Sequence, residues 1–132
     1  MARGSESQVI HLDTHIVCWL YEGRVDFLSG AARAAVETGR LLVSPLVELE
    51  LQLLNEIGRI IAGPDTVLPA LAREIGLQAT TTEYRSVVTA ARELKWARDP
   101  FDRLIVADAI LSGAKLVTKD RLIRRHCPVA LW

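Results

Sequence analysis

Four carboxylates stand at intervals along the chain: Asp13, Glu50, Asp102 and Asp120. Acids brought to one place repel each other unless a cation neutralises them. An oxygen-only donor set suits Mg²⁺ or Mn²⁺. Zinc is disfavoured, because no His or Cys residues have the spacing of a zinc site. A cation held this way acidifies a water and neutralises phosphate charge, so the expected reaction is hydrolysis of a phosphodiester. It would need no Ser, Cys or His nucleophile.

Each acid must first be weighed against a simpler role. Asp13, Asp99 and Asp120 each precede a predicted helix, where an Asp N-cap contributes about 1 kcal/mol. Asp99 followed by Pro100 has the form of an N-cap and a first helical residue. Asp102 then falls at the third helical position, where the helix dipole favours an acid. Capping cannot explain Glu50, which lies mid-helix. At about 100° per residue, Leu46, Leu53, Leu54, Ile57 and Ile61 share one face and Glu50 falls among them. Glu48 falls on the polar face with Gln52, Asn55, Glu56 and Arg59 and is expected to be solvated. Asp102 points along the face of Ile105, Val106 and Ala109, whereas Asp108 is expected to be exposed or peripheral.

The elements that must position these acids alternate. Strands are expected at 9–13, 40–44, 77–82, 114–120 and 128–132. Helices are expected at 14–23, 25–39 (one, or two broken near Gly30), 45–60, 65–76, 82–95 from a Thr cap, and 100–113. Alternation of this kind implies an α/β domain, a three-layer α/β/α sandwich around a mainly parallel sheet. Ligands of open parallel sheets bind beyond the carboxyl ends of the strands. Asp13 ends the first strand, Asp120 follows the fourth, and Asp102 opens the helix before the fourth. Glu50 rides the helix after the second.

At 132 residues, half of them hydrophobic, the chain suits one domain spanning 1–132, with 1–7 as a flexible lead-in. Sixteen basic residues balance sixteen acidic ones. That balance gives no sign of a broadly basic nucleic-acid binder, yet a bound cation can supply positive charge locally. Cys18 and Cys127 sit in apolar surroundings and read as buried, reduced thiols of a cytoplasmic protein. No apolar run approaches a membrane span, and the polar start lacks a signal-peptide core. His11 and Asp13 share a face if 9–13 is a strand; a surface or satisfied core histidine is the favoured reading. His126 belongs to a basic run read as a solvated helix face.

The segments HLDTHIVCWL (11–20), LLVSPLVELELQLLNEIGRI (41–60), RDPFDRLIVADAILSGAKLVTKD (98–120) and the final VALW resemble the PIN-domain family. More narrowly, they resemble VapC-type toxins of type II toxin–antitoxin systems. They cover essentially the whole chain in the family's order, and RDPFDRLIVADA is the most specific of them. The resemblance implies a Mg²⁺- or Mn²⁺-dependent ribonuclease. In it, Asp13 and Asp102 match direct metal ligands, while Glu50 and Asp120 complete the cage or position water. Asp99 is an accessory acid or, as favoured here, a cap. Thr118 and Ser44 are expected to hydrogen-bond around the site. Arg103 contacts RNA phosphate or pairs with an acid, and Arg98, Lys119 and Arg121 complete a candidate RNA rim or are ordinary surface charges.

Two positions depart from the family pattern. Val47 stands where relatives often carry a hydroxyl, and KWA at 95–97 replaces a stretch often richer in histidine. Both bear on substrate contacts more than on the acids. The resemblance also implies a cognate antitoxin and a homodimer, with apolar helices near 25–75 offering surface for both. Two rivals remain at this point. One is a PIN-like scaffold that binds without catalysis. The other is a phospho-acceptor receiver domain, disfavoured because Asp13 stands alone after the first strand and 77–81 carries no Asp.

Overall fold

A computed structural model describes residues 7–132. All but the last residue of the expected 1–7 lead-in therefore lies outside the described residues. The five strands are β1 (Val9–Leu12), β2 (Arg40–Val43), β3 (Gln78–Ala79), β4 (Lys115–Val117) and β5 (Ala130–Leu131), in the order β3-β2-β1-β4-β5. Every pairing is parallel, with His11 opposite Leu42 on one side and Leu116 on the other. Helices flank the sheet in an α/β/α sandwich. They are α1 (Thr14–Tyr21), α2 (Gly30–Thr38), α3 (Pro45–Glu56), α4 (Pro64–Ile75), α5 (Tyr84–Ala91), α6 (Pro100–Leu111) and α7 (Arg121–His126). A single 3₁₀ turn, Val25–Phe27, precedes α2, so the 25–39 segment takes the two-piece form.

Local chemistry explains most boundaries. Ser29 caps α2 by accepting from Ala32 N, and Ser44 caps α3 by accepting from Leu46 N at 3.2 Å, with Pro45 next. Gly76 ends α4 in the left-handed region at φ 73°, which glycine adopts without cost. Gly39 sits where α2 turns into β2, and a Cβ there would collide with the Ile10 side chain and the Ala35 carbonyl. The expected Thr cap of α5 is not formed. Glu83 holds the cap position without a side-chain bond to the helix backbone, its carboxylate accepting from the Ser86 hydroxyl, while the Thr82 hydroxyl is engaged by Asp108.

The central strand is sealed on both faces: Ile10, His11 and Leu12 are all fully buried. That is the near-continuous apolar pattern of a parallel strand covered by helices on each side. Ile16, Val17, Leu51, Leu71, Val106 and Leu116 pack into the same core. A smaller cluster of Val87, Ala91 and Ala107 seals α5 onto α6. Cys18 and Cys127 are buried and free, as expected.

The face of α3 differs from the expectation. Its buried residues are Val47 and Leu51, with Leu46 and Leu54 partly covered, while Leu53 and Ile57 are exposed and Ile61 fully so. The helix stops at Glu56, so Ile57 and Ile61 never belonged to its wheel. Its orientation is set by packing on α1, α4 and α6. Glu50, beside Leu51 and one turn past Val47, still turns inward to a half-buried position, and Glu48 is exposed. Val47 is a core residue and has no surface to offer a substrate.

Candidate metal-binding active site

The chain runs from β1 outward through β2 to β3, then crosses back to β4 on the other side of β1. The connections diverge between β1 and β4, which leaves a crevice at their carboxyl ends. Asp13 follows β1 there and Thr118 follows β4. Asp13 N donates to the Val117 carbonyl at 3.1 Å, which fixes the two strand ends side by side.

Both carboxylate oxygens of Asp13 are engaged. Oδ1 accepts from Thr14 N at 2.8 Å, which caps α1, and Oδ2 accepts from the Thr118 hydroxyl at 2.6 Å. The same Thr118 oxygen accepts from Asp120 N at 3.1 Å, so one buried hydroxyl links two of the acids. Asp120 caps α7 by accepting from Ile123 N at 2.9 Å. Asp99 caps α6 by accepting from Phe101 N at 2.7 Å, and it also receives the N–H of Asp102. The Thr14 hydroxyl donates to Glu50 of α3. Thr14 therefore holds two acids at once, Asp13 through its backbone and Glu50 through its side chain.

Asp13, Glu50, Asp99, Asp102 and Asp120 all line one open cavity of about 400 Å³, together with His15, Trp19 and Lys119. Three of the acids expected in the site are thus helix caps and cavity walls at the same time; Asp99 and Asp120 cap through Oδ1 alone, whereas Asp13 uses both oxygens. Burial pushes the Asp13 carboxyl up, against the lowering effect of its Thr118 and Thr14 hydrogen bonds. Burial likewise raises Glu50, with Asp13 and Asp99 adding repulsion. Asp102 is pushed up to about 7, first by burial and then by Asp99, Asp13, Asp120 and Glu50.

The four acids share the cavity but are not gathered into a closed cage. Among the described residues no three His, Cys, Asp or Glu side chains converge closely enough to hold an ion unaided. The donor chemistry still fits a hard cation. Five carboxylates face the space with Lys119 and His15 as the only basic side chains among its walls. Mg²⁺ keeps several of its waters and takes one or two carboxylates directly, so an open set of acids suits it better than it suits zinc.

The remaining expected residues separate. Lys119 lines the cavity, and Arg98 and Arg121 are exposed. Arg103 uses its Nε to donate to the Ala97 carbonyl at 2.7 Å, a bond to backbone in place of the expected acid. Ser44 is buried and caps α3, apart from the cavity walls.

Asp108 overturns its expectation: it is 1% exposed. Its carboxylate accepts from Thr80 at 2.5 Å, Thr82 at 2.6 Å and more weakly from Ser112. From Ile105 to Ala109, α6 is covered by α5, α3 and β4, which leaves no solvent face at this position. His11 lies in the same network, fully buried with Nε2 3.2 Å from the Ser112 hydroxyl and with Nδ1 lacking a partner. Burial lowers the His11 pKa, and Asp108 partly offsets this. Neither residue joins the acidic cavity. Thr14, His15 and Trp19 were missed from sequence. Their signal was helical spacing, since His15 and Trp19 are four residues apart on the helix that Asp13 starts.

The PIN domain family model matches residues 10–127. The chain is 35% identical over 127 residues to Ribonuclease VapC22 of Mycobacterium tuberculosis (strain ATCC 25618 / H37Rv), covering 92% of this chain and 96% of that protein. Its fold is similar to a toxin-antitoxin complex from Klebsiella pneumoniae, with a TM-score of 0.68 at 17% identity over 93% of this chain and 96% of the other. It is also similar to VapBC2 from Rickettsia felis bound to a DNA fragment from their promoter, with a TM-score of 0.64 at 17% identity over 94% and 96% of the two chains.

Proposed function

Because this chain belongs to the PIN-domain family, we propose that it is a VapC-type toxin, a Mg²⁺- or Mn²⁺-dependent ribonuclease restrained by a cognate antitoxin. The observation that carries the reading is the meeting of five carboxylates in one cavity at the switch point of the sheet. The ribonuclease named among its relatives supports the reaction class, and the toxin–antitoxin complexes of like fold support the partner.

Asp13 and Asp102 are assigned as the direct cation ligands, with Glu50 and Asp120 acting on its water shell. A cation held there would acidify a water and neutralise charge on the attacked phosphate. Thr118 and Thr14 hold the Asp13 carboxylate in one orientation, and Thr14 does the same for Glu50. Lys119 stands at the cavity edge, where it can meet a phosphate that the acids would otherwise repel. The exposed Leu49, Leu53, Ile57 and Ile61 offer apolar surface for the antitoxin and for a second copy of the chain.

The test is cleavage of total RNA by antitoxin-free protein in Mg²⁺, Mn²⁺ or EDTA, alongside Asp102→Asn. Discrete products that require the cation and vanish in the variant are expected. One rival, a binding scaffold without catalysis, draws on the lack of a ready-made metal cluster among the described residues. Folded protein that cuts no RNA, with Asp102→Asn retaining the full effect on growth, would establish that rival instead.

A further inference from the structure

Trp19 forms part of the acidic cavity's wall and is only partly buried. Its ring system is braced by three other rings. Phe27 packs edge-on at 5.4 Å between centroids and Trp132 lies at 6.4 Å, with His15 at 6.3 Å. The ring is therefore held in a fixed orientation beside the acids. Its charged neighbour is Lys119, whose ammonium lies 5.8 Å from the ring centroid. Lys119 is exposed and makes no ion pair among the described residues. A cation over an exposed ring is held more weakly than a nucleobase stacked on it. A base arriving at Trp19 would displace the ammonium, which is then free for the adjacent phosphate. Trp96 offers a contrast, since its ring is already stacked on His126 at 5.2 Å and 15°.

The geometry points to Trp19 as the platform on which an unpaired base stacks beside the phosphate to be cut, with Lys119 neutralising that strand's backbone. A base reaches such a platform only when its face is free, because bases in a duplex keep theirs buried in the stack. This inference rests on the proposed nuclease reading and adds to it a specificity-determining residue, Trp19, with Lys119 as its partner on the strand.

The experiment uses the full chain with Trp96→Phe and Trp132→Phe, which leaves Trp19 as the single tryptophan, and with Asp102→Asn to stop turnover. It is titrated in Mg²⁺ with a short oligoadenylate, then with the same strand annealed to oligouridylate. Saturable quenching by the single strand and none by the duplex is expected. In otherwise unaltered protein, Trp19→Leu keeps apolar bulk without a ring, and Trp19→Phe keeps the ring. The Leu variant should raise KM for single-stranded RNA about tenfold with kcat nearly unchanged, and the Phe variant should recover most of that loss. Melting temperatures check that both variants fold. Absence of quenching, or equal KM in the two variants, overturns the inference. Quenching by a protein whose unaltered form cuts no RNA would uphold the stacking site and sink the nuclease reading alone.

Discussion

In the cation-free protein the Asp102 carboxyl is pushed up to about 7, first by burial and then by four neighbouring acids. Its folded pKa is raised above the ordinary value of 3.8, so the folded chain binds more protons than the unfolded one between those limits. The stability this group contributes is present below about pH 4 and is lost as pH rises through about 7. Asp13 and Glu50 are raised too and act in the same sense, whereas His11, held neutral by burial, acts in the opposite one. Comparing melting temperatures of the cation-free protein and of Asp102→Asn from pH 4 to 8 isolates the one group. The variant should be the more stable of the two at pH 8, with the difference vanishing near pH 4. Equal profiles would mean that Asp102 is not held among the other acids.

Among the elements, α6 is fixed at both ends by carboxylates with different duties. Asp99 caps its start beside the cavity, and Asp108 binds its far half to the chain leaving β3 through Thr80 and Thr82. β3 has only two residues where a six-residue strand was expected, and the Thr80 N–H makes a last bond to the Val43 carbonyl at 2.9 Å before the Thr80 and Thr82 hydroxyls turn to Asp108. Asp108→Asn would retain one acceptor and turn an amide N–H₂ toward a hydroxyl, at a cost of about 1–3 kcal/mol. A lower melting temperature with unchanged KM for RNA is expected, since Asp108 is not a cavity wall. A large rise in KM with no loss of stability would instead place Asp108 in the substrate's path.

For the whole molecule, the acids that meet in the cavity come from four separate stretches of chain, so the cation site exists only when the sheet is assembled. A cation that binds the folded state alone stabilises it by about 2.7 kcal/mol at a hundred times its Kd. Mg²⁺ should therefore raise the melting temperature of the protein and leave that of Asp13→Asn nearly unmoved. Identical midpoints in Mg²⁺ and EDTA would count against a cation site altogether. No helix among the described residues is long and apolar enough to cross a membrane. The sequence by itself determined the alternation of strands and helices, the caps at Ser44, Asp99 and Asp120, and the acids at the strand ends. Period, cap chemistry and position after a strand are all carried within a few residues. Only the tertiary structure decided that α3 buries Val47 and Leu51, that Asp108 is sealed under α5 and β4, and that Trp19 and His15 wall the cavity. It also decided that the acids meet in one cavity without forming a ready-made metal cluster among the described residues. Burial and separation depend on which distant elements cover a face, and no window of local sequence contains that information.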